Sequence, residues 1–324
     1  MSRMSAFVTA VGAVSLFALG APQANATLIS PLVSEFAVLG QFSNNQTNFN
    51  NGTITGDVGI GSPRQFTISN ASVVGDIRFS GTQNVSGLSG GPIPGSGPYI
   101  VSGGGTVSGG VFAFDAGVTS ALNYTNDLSQ ALGGQAGTAL TLTSSQTINA
   151  SSGAVGGVGS VDGNSLGSYF LFTTTSVNLN NASILTINGS ATDQVVIDVT
   201  DNNPAFNGMI VLIGGITSDH VLFNMFGGNY TTHTGGPTLT VSTNGQITTG
   251  TFLDPNGGMQ INHSVLDGRF FGGDVTNQQI VSGADINAPP KIVLLAVPEP
   301  GTIVLLLAGM LGVVGLRRFG RPVA

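Results

Sequence analysis

Val195-Val196-Ile197-Asp198-Val199, Met209-Ile210-Val211-Leu212-Ile213, Val221-Leu222-Phe223-Asn224-Met225 and Leu239-Thr240-Val241 follow one another closely, divided by Gly, Asn, Asp and Ser. Each run is too short for a helix and rich in β-branched and aromatic residues, so each reads as a strand. The same signature occurs upstream in Phe36-Ala37-Val38-Leu39, Phe66-Thr67-Ile68, Val73-Val74-Gly75-Asp76-Ile77, Leu140-Thr141-Leu142-Thr143, Tyr169-Phe170-Leu171-Phe172 and Ile184-Leu185-Thr186-Ile187. Asn-Gly, Asp-Gly and Gly-Gly pairs between the runs supply the positive φ that tight turns need. Two architectures accommodate many short strands with small polar corners: a β-sandwich and a β-solenoid. The solenoid explains more, because stacked Thr, Val and Ile rows build its walls and Gly or Ser turns its corners. The expected fold is therefore mainly β, an irregular β-solenoid, with the sandwich as alternative. No clean fixed repeat is legible.

Asp115 to Leu132 departs from this pattern. Val118, Ala121, Leu122, Leu128 and Leu132 fall on one face at helical spacing. Asp115 is suited to the N-cap and Gly133-Gly134 to the stop. This predicts one amphipathic helix packed along an apolar side of the solenoid.

Both ends are set apart from this body. Arg3, an apolar region over Ala6 to Ala21 and Ala24-Asn25-Ala26 have the form of a secretory signal peptide, expected to be a helix cleaved after Ala26. The C-terminus reads Val297-Pro298-Glu299-Pro300-Gly301, then an apolar run from Thr302 to Leu316, then Arg317-Arg318. Two prolines disfavour helix upstream. The apolar run predicts a hydrophobic helix, short for a bilayer core of ~30 Å, and the arginines favour a cytoplasmic extreme C-terminus. The expected domains are 1–26 signal peptide, 27–296 solenoid and 297–324 sorting or anchor segment.

The body must hold itself together without disulfides, since the chain has no cysteine. Charged residues make up 7 %, against roughly 25 % in ordinary globular proteins. Between the end segments the only cations are Arg64, Arg78, Arg269 and Lys291. So few positive charges cannot neutralise a phosphate backbone, which excludes nucleic acid as a partner. A hydrophobic fraction of 41 % is enough for a substantial core and argues against disorder.

The residues that carry chemistry elsewhere are sparse. His220, His233 and His263 lack paired metal spacing, and no H-E-x-x-H occurs. Asp198, Asp201, Asp254, Asp267 and Asp274 sit mostly in turn-like contexts rather than as a glycosidase pair. No G-x-S-x-G elbow is present. Val161-Asp162-Gly163-Asn164 and Asp201-Asn202-Asn203 gather oxygen ligands without an EF-hand spacing. Thr141, Thr143 and Thr147, and likewise Thr238 and Thr240, are candidates for a row of threonines facing one way. The reading is a chain without catalytic residues, metal site or cofactor.

The C-terminal order of Pro-Glu-Pro, apolar run and basic end resembles the PEP-CTERM sorting signal of Gram-negative, exopolysaccharide-producing bacteria. The resemblance covers the last 28 residues or so. It implies a sorting signal at Val297, Pro298, Glu299, Pro300, Arg317 and Arg318, and a membrane protease that removes the tail. It also implies passage through the inner membrane, contact with it through the uncleaved tail, and delivery to the surface or matrix, with exopolysaccharide as a partner.

Phe36-Ala37-Val38-Leu39-Gly40 followed by Thr53-Ile54-Thr55-Gly56-Asp57-Val58-Gly59 resembles the start of ice-binding-like β-solenoids. Gln194 to Val199, Val221 to Met225, Gly250 to Gly257 and Leu266 to Gly273 are similar to choice-of-anchor A domains. These resemblances imply a surface or matrix module. The expected function is an exported, non-enzymatic structural or adhesive protein, with ice binding or carbohydrate-active chemistry as alternatives. Ice binding would show as threonine rows repeated coil after coil, and an enzyme as a cleft with converging aspartates.

Overall fold

In the computed structural model, residues 27–42, 45–89, 99–232, 234–274 and 277–292 are described. The expected signal helix, the tail helix and their site residues Ala24, Ala26, Val297, Pro298, Glu299, Pro300, Arg317 and Arg318 lie outside them. No helix among the described residues is long and apolar enough to cross a membrane.

The fold is a three-faced β-solenoid. One coil shows the principle. Ile247–Asp254 crosses two faces, bending at Gly250, whose φ of +126° excludes most side chains. Gly258–Asn262 forms the third face. Val265–Gly272 then lies directly over Ile247–Asp254, parallel and in register at every residue from Ile247↔Val265 to Asp254↔Gly272. Parallel pairing of successive coils is incompatible with the antiparallel hairpins of a sandwich.

Inward side chains form continuous columns. Phe172, Ile197, Phe223, Phe252, Phe270, Val38, Val58, Ile77 and Val111 are register partners in that order, all at or near zero exposure. The Phe223 and Phe252 rings stack at 5.0 Å. Each buried side chain of this size contributes about 1.5–3 kcal/mol, so the column is a main source of stability.

The stacking order is not the chain order. Phe36–Gly40 pairs with Asp57–Ile60 on one side and with Val265–Gly272 on the other. The N-terminal coils therefore continue the stack beyond the last C-terminal coil. Helix α1 (Ala116–Leu132) connects the two blocks. The chain then resumes at Thr138–Leu142 and climbs coil by coil to Asp285–Asn287, which pairs with Thr53–Thr55.

Three faces follow from this arrangement. On the helix face, α1 buries Val118, Ala121, Leu122, Tyr124, Leu128 and Leu132 against an apolar wall that includes Leu171, Val196, Leu222, Leu253, Phe271 and Leu39. Asp115 caps the helix as expected, accepting from the N–H groups of Gly117 at 2.7 Å and Val118 at 3.3 Å. The amide face carries Gln46–Asn50, Gln65–Ser69, Thr238–Val241, Gly258–Asn262 and Gln278–Val281. The mixed face carries Gln146–Asn149, Ile184–Asn188 and Met209–Ile213, then the first halves of Ile247–Asp254 and Val265–Gly272.

Two sequence expectations are corrected. Val73 to Ile77 is not one strand: Ser72–Val74 and Ile77–Phe79 lie on different faces, with Gly75 and Asp76 at the corner. Asp76 Oδ1 accepts there from the Gly110 N–H at 2.8 Å, which holds the bend. Thr141 and Thr147 do not face one way either. Thr141 belongs to Thr138–Leu142 and Thr147 to Gln146–Asn149 around the next corner.

Buried cations close the seam between the two chain blocks. Arg64 donates from Nε to Gln41 O at 2.9 Å, from Nη1 to Gln46 O at 2.9 Å, and from Nη2 to Gly273 O. Arg269 reaches Phe36 O at 2.8 Å, Pro289 O at 3.0 Å and Asp219 at 3.1 Å. The start and finish of the body meet here. Ile292 donates its N–H to Ser34 Oγ at 3.0 Å, and Lys291 pairs with Glu35 at 2.7 Å.

Candidate ligand-binding face

The amide face offers an array of side chains that the backbone holds in register. Its central outward column runs Asn178, Ala205, Thr240, Gln260, Gln279, Asn48, Thr67 and Ser86, each the register partner of the next. Parallel strands lie ~4.8 Å apart, so this column extends about 34 Å. Two shorter columns flank it. Thr238 pairs with Gly258 and Gln46 with Gln65 on one side, and Asn262 with Val281 and Asn50 with Ser69 on the other. None of these residues is ionisable.

Local bonds order parts of the array. Gln46 Nε2 donates to Gln65 Oε1 at 2.8 Å, and Ser86 Oγ donates to Thr67 Oγ1 at 3.1 Å. Because Gly258 has no side chain, a shallow trough of about 210 Å³ opens between Thr238, Gln260, Asn277 and Gln279. Of the threonines expected to form rows, Thr238 and Thr240 do face outward together here. Their neighbours in register are Gly258 and Gln260, so the row continues as amides rather than threonines.

Of the remaining candidates, Asp198 and Asp254 lie near one tyrosine, Tyr230, and the others stand apart. Asp198 is buried on the helix face, where its Oδ1 accepts from Asn224 Nδ2 at 2.8 Å. Burial pushes its carboxyl up to about 7, against the opposing effect of that bond. Asp254 is fully buried, and this drives its carboxyl well above the usual range, partly offset by the N–H groups of Gly257 and Asn256. Asp267 lies on the mixed face and accepts from Asn287 Nδ2 at 3.3 Å. Asp274 is buried beside Arg64. Asp201 is a turn residue whose two oxygens take the N–H groups of Val177 and Asn203. Asp162 to Asn164 form the bend of a small hairpin. His263 holds a turn at φ +44°, and His220 ends the short helical turn Ser218–His220; His233 is outside the described residues. Among the described residues, no three His, Asp or Glu side chains are grouped to hold a metal ion.

Residues 296–318 match the PEP-CTERM protein-sorting motif. The chain carries a sorting signal. The motif marks it as an exported protein addressed to the surface or extracellular space, and implies recognition by a membrane sorting protease. No curated protein matches the chain. Among solved structures, an ice-binding protein of an Arctic yeast is similar at 17 % identity and a TM-score of 0.51, covering 85 % of this chain and 100 % of its own. That of an Antarctic ascomycete, Antarctomyces psychrotrophicus, aligns at 14 % identity and a TM-score of 0.47, over 82 % and 99 %. The Shewanella frigidimarina ice-binding protein aligns at 14 % and 0.46, over 82 % and 100 %. The yeast likeness shows a shared overall fold.

Sequence reasoning missed the amide face as a unit. Its signal was the coil length: Gln46 to Gln65 and Thr67 to Ser86 are each 19 residues apart, and Gln260 to Gln279 is the same (279 − 260 = 19). Aligning the strands at that spacing brings the columns into view.

Proposed function

We propose that this protein is a non-catalytic adhesion module of the cell surface or exopolysaccharide matrix, and that the amide face holds a neutral, hydroxyl-rich polymer. The observation that carries the reading is the in-register, uncharged central column. Amide and hydroxyl groups exchange hydrogen bonds with sugar hydroxyls without the cost of stripping water from a charge. The backbone register sets the spacing of these groups in advance, and the Gln46–Gln65 and Ser86–Thr67 bonds have already restricted four of the side chains. A polymer engages many coils at once, so weak contacts sum.

Co-sedimentation of the mature protein with exopolysaccharide from the producing cells tests this. Wild type is expected to pellet with the polymer. The double variant Thr240→Arg/Gln279→Arg, which places charge mid-column at solvent-facing positions, is expected to bind at least tenfold more weakly with an unchanged melting temperature. Equal binding by both proteins, or none by wild type, defeats the reading.

Ice is the second reading, favoured by the likeness in fold to the yeast ice-binding protein. A thermal-hysteresis gap in wild type that disappears in the same double variant would select ice over polysaccharide.

The domain boundaries belong to the same proposal: signal peptide 1–26, solenoid 27–296, sorting segment 297–324. Replacing Pro298-Glu299-Pro300 by alanines is expected to leave the protein in the membrane fraction at full C-terminal length. Wild type is expected outside, trimmed after Ala26 and near Val297. Intact-mass analysis of each fraction distinguishes the two; identical processing of both would remove these residues from the sorting signal.

A further inference from the structure

A second concave site lies away from the amide face, at the corner where the mixed face turns toward the helix face. It is a pocket of about 440 Å³ whose walls include Asn149, Asn188, Gly189, Ser190, Asp193 and Gly214. It is open to solvent and lined mainly by polar groups, so a ligand there would be held by hydrogen bonds rather than by enclosure.

The walls are built rather than incidental. Asn149 and Asn188 end adjacent strands in register, and Asn188 Nδ2 donates to Asn149 Oδ1 at 3.0 Å. This bond orients both amides and leaves Asn188 Oδ1 as acceptor and Asn149 Nδ2 as donor. Asp193 Oδ2 accepts the Ser190 N–H at 2.8 Å, which fixes the carboxylate and leaves Oδ1 for a ligand. The ladder of amides stops at Asn188, whose register partner is Ile213, and the rim there continues into Gly214. A Cβ there would lie 2.6 Å from Asn188 Oδ1 and from Gly189 O, so bare backbone keeps the upper wall open. Ile213, the register partner of Asn188, is 45 % exposed beside this rim.

We infer that this corner pocket binds a single neutral sugar residue. One carboxylate and a pair of oriented amides match a ring of hydroxyls, each both donor and acceptor. Exposed Ile213 suits the C–H face of a pyranose. Asp193 is the one charged group in the lining, and no cation accompanies it. That disfavours phosphate and uronate, and a single carboxylate is a poor set for calcium, which takes six to eight oxygens and several charges. The inference stands apart from the amide face, because the two sites share no residue.

Nuclear magnetic resonance titration of the isotope-labelled mature protein tests it, using glucose, galactose, mannose and N-acetylglucosamine as probes. At least one is expected to shift the signals of Asn149, Asn188 and Asp193. Asp193→Ala and Asn188→Leu are each expected to weaken that response at least tenfold with native spectra elsewhere, while Thr240→Arg/Gln279→Arg leaves it intact. The inference is overturned if none of the four sugars moves these signals, if the response survives Asp193→Ala, or if glucuronate or calcium ions produce the larger effect. Failure of the wild type to pellet with the polymer, alongside a retained sugar response, would remove the amide-face reading and leave this one standing.

Discussion

Arg64→Ala will cost the domain about 3–5 kcal/mol, the scale for removing one partner from a buried charged network. The guanidinium is fully buried, and burial lowers its pKa to about 10 against the pull of Asp274. Its removal strands the carbonyls of Gln41, Gln46 and Gly273 and leaves the buried Asp274 without its neighbouring cation. Those carbonyls belong to both blocks of the chain, so the damage falls on the seam. Urea unfolding should show a lower midpoint, and Arg64→Met, which keeps the volume but not the donors, should recover little. An unfolding free energy within about 0.5 kcal/mol of wild type, the scatter of neutral surface substitutions, would show that the seam does not depend on this residue.

Raising the pH from 4 to 8 should destabilise the wild-type domain. Burial holds the Asp198 carboxyl at about 7 in the folded state, against 3.8 for a free aspartate. The folded state therefore binds more protons than the unfolded state between these values. Its stabilising contribution is complete below the unfolded pKa and is lost as pH rises through 7. The gap corresponds to a ceiling of about 4 kcal/mol, at ~1.4 kcal/mol per pH unit. Asp254, raised in the same direction by burial, adds to the trend. Asp198→Asn keeps an acceptor for Asn224 and should raise the melting temperature at pH 8 while leaving it unchanged at pH 4. Adding Asp254→Asn should flatten the profile further. A wild-type profile that rises from pH 4 to 8 would mean that both carboxylates ionise at ordinary values inside the fold.

Much of the architecture was legible because it is local. Phe66-Thr67-Ile68 alternates as a half-buried strand must, and the structure extends the same alternation over Gln65–Ser69. Asp115 announced its helix by chemistry that acts within three residues. What stayed hidden is set by distance along the chain. Phe36–Gly40 finds a partner in Val265–Gly272, more than 200 residues away, and no local pattern encodes that pairing. The roles of Arg64 and Arg269 were hidden for the same reason, since each joins an acceptor in its own block to a backbone carbonyl of the other, Gly273 O and Phe36 O respectively. The 19-residue coil was masked by the helix and by uneven loops. The amide-face columns became readable only after the register was known, whereas the corner pocket needs the side-chain geometry itself.

The meeting of residues 34–35 with 291–292 has a mechanical consequence. Any attachment made through the chain beyond Ile292 would load the solenoid amidships, where residues 291–292 meet residues 34–35, rather than at a tip. Tension between such an attachment and a ligand on the amide face would enter through the Arg269, Ser34 and Glu35 contacts and spread up and down the stack at once. The coils would then share the load as shear across many parallel ladder bonds, instead of peeling away one at a time from a free end.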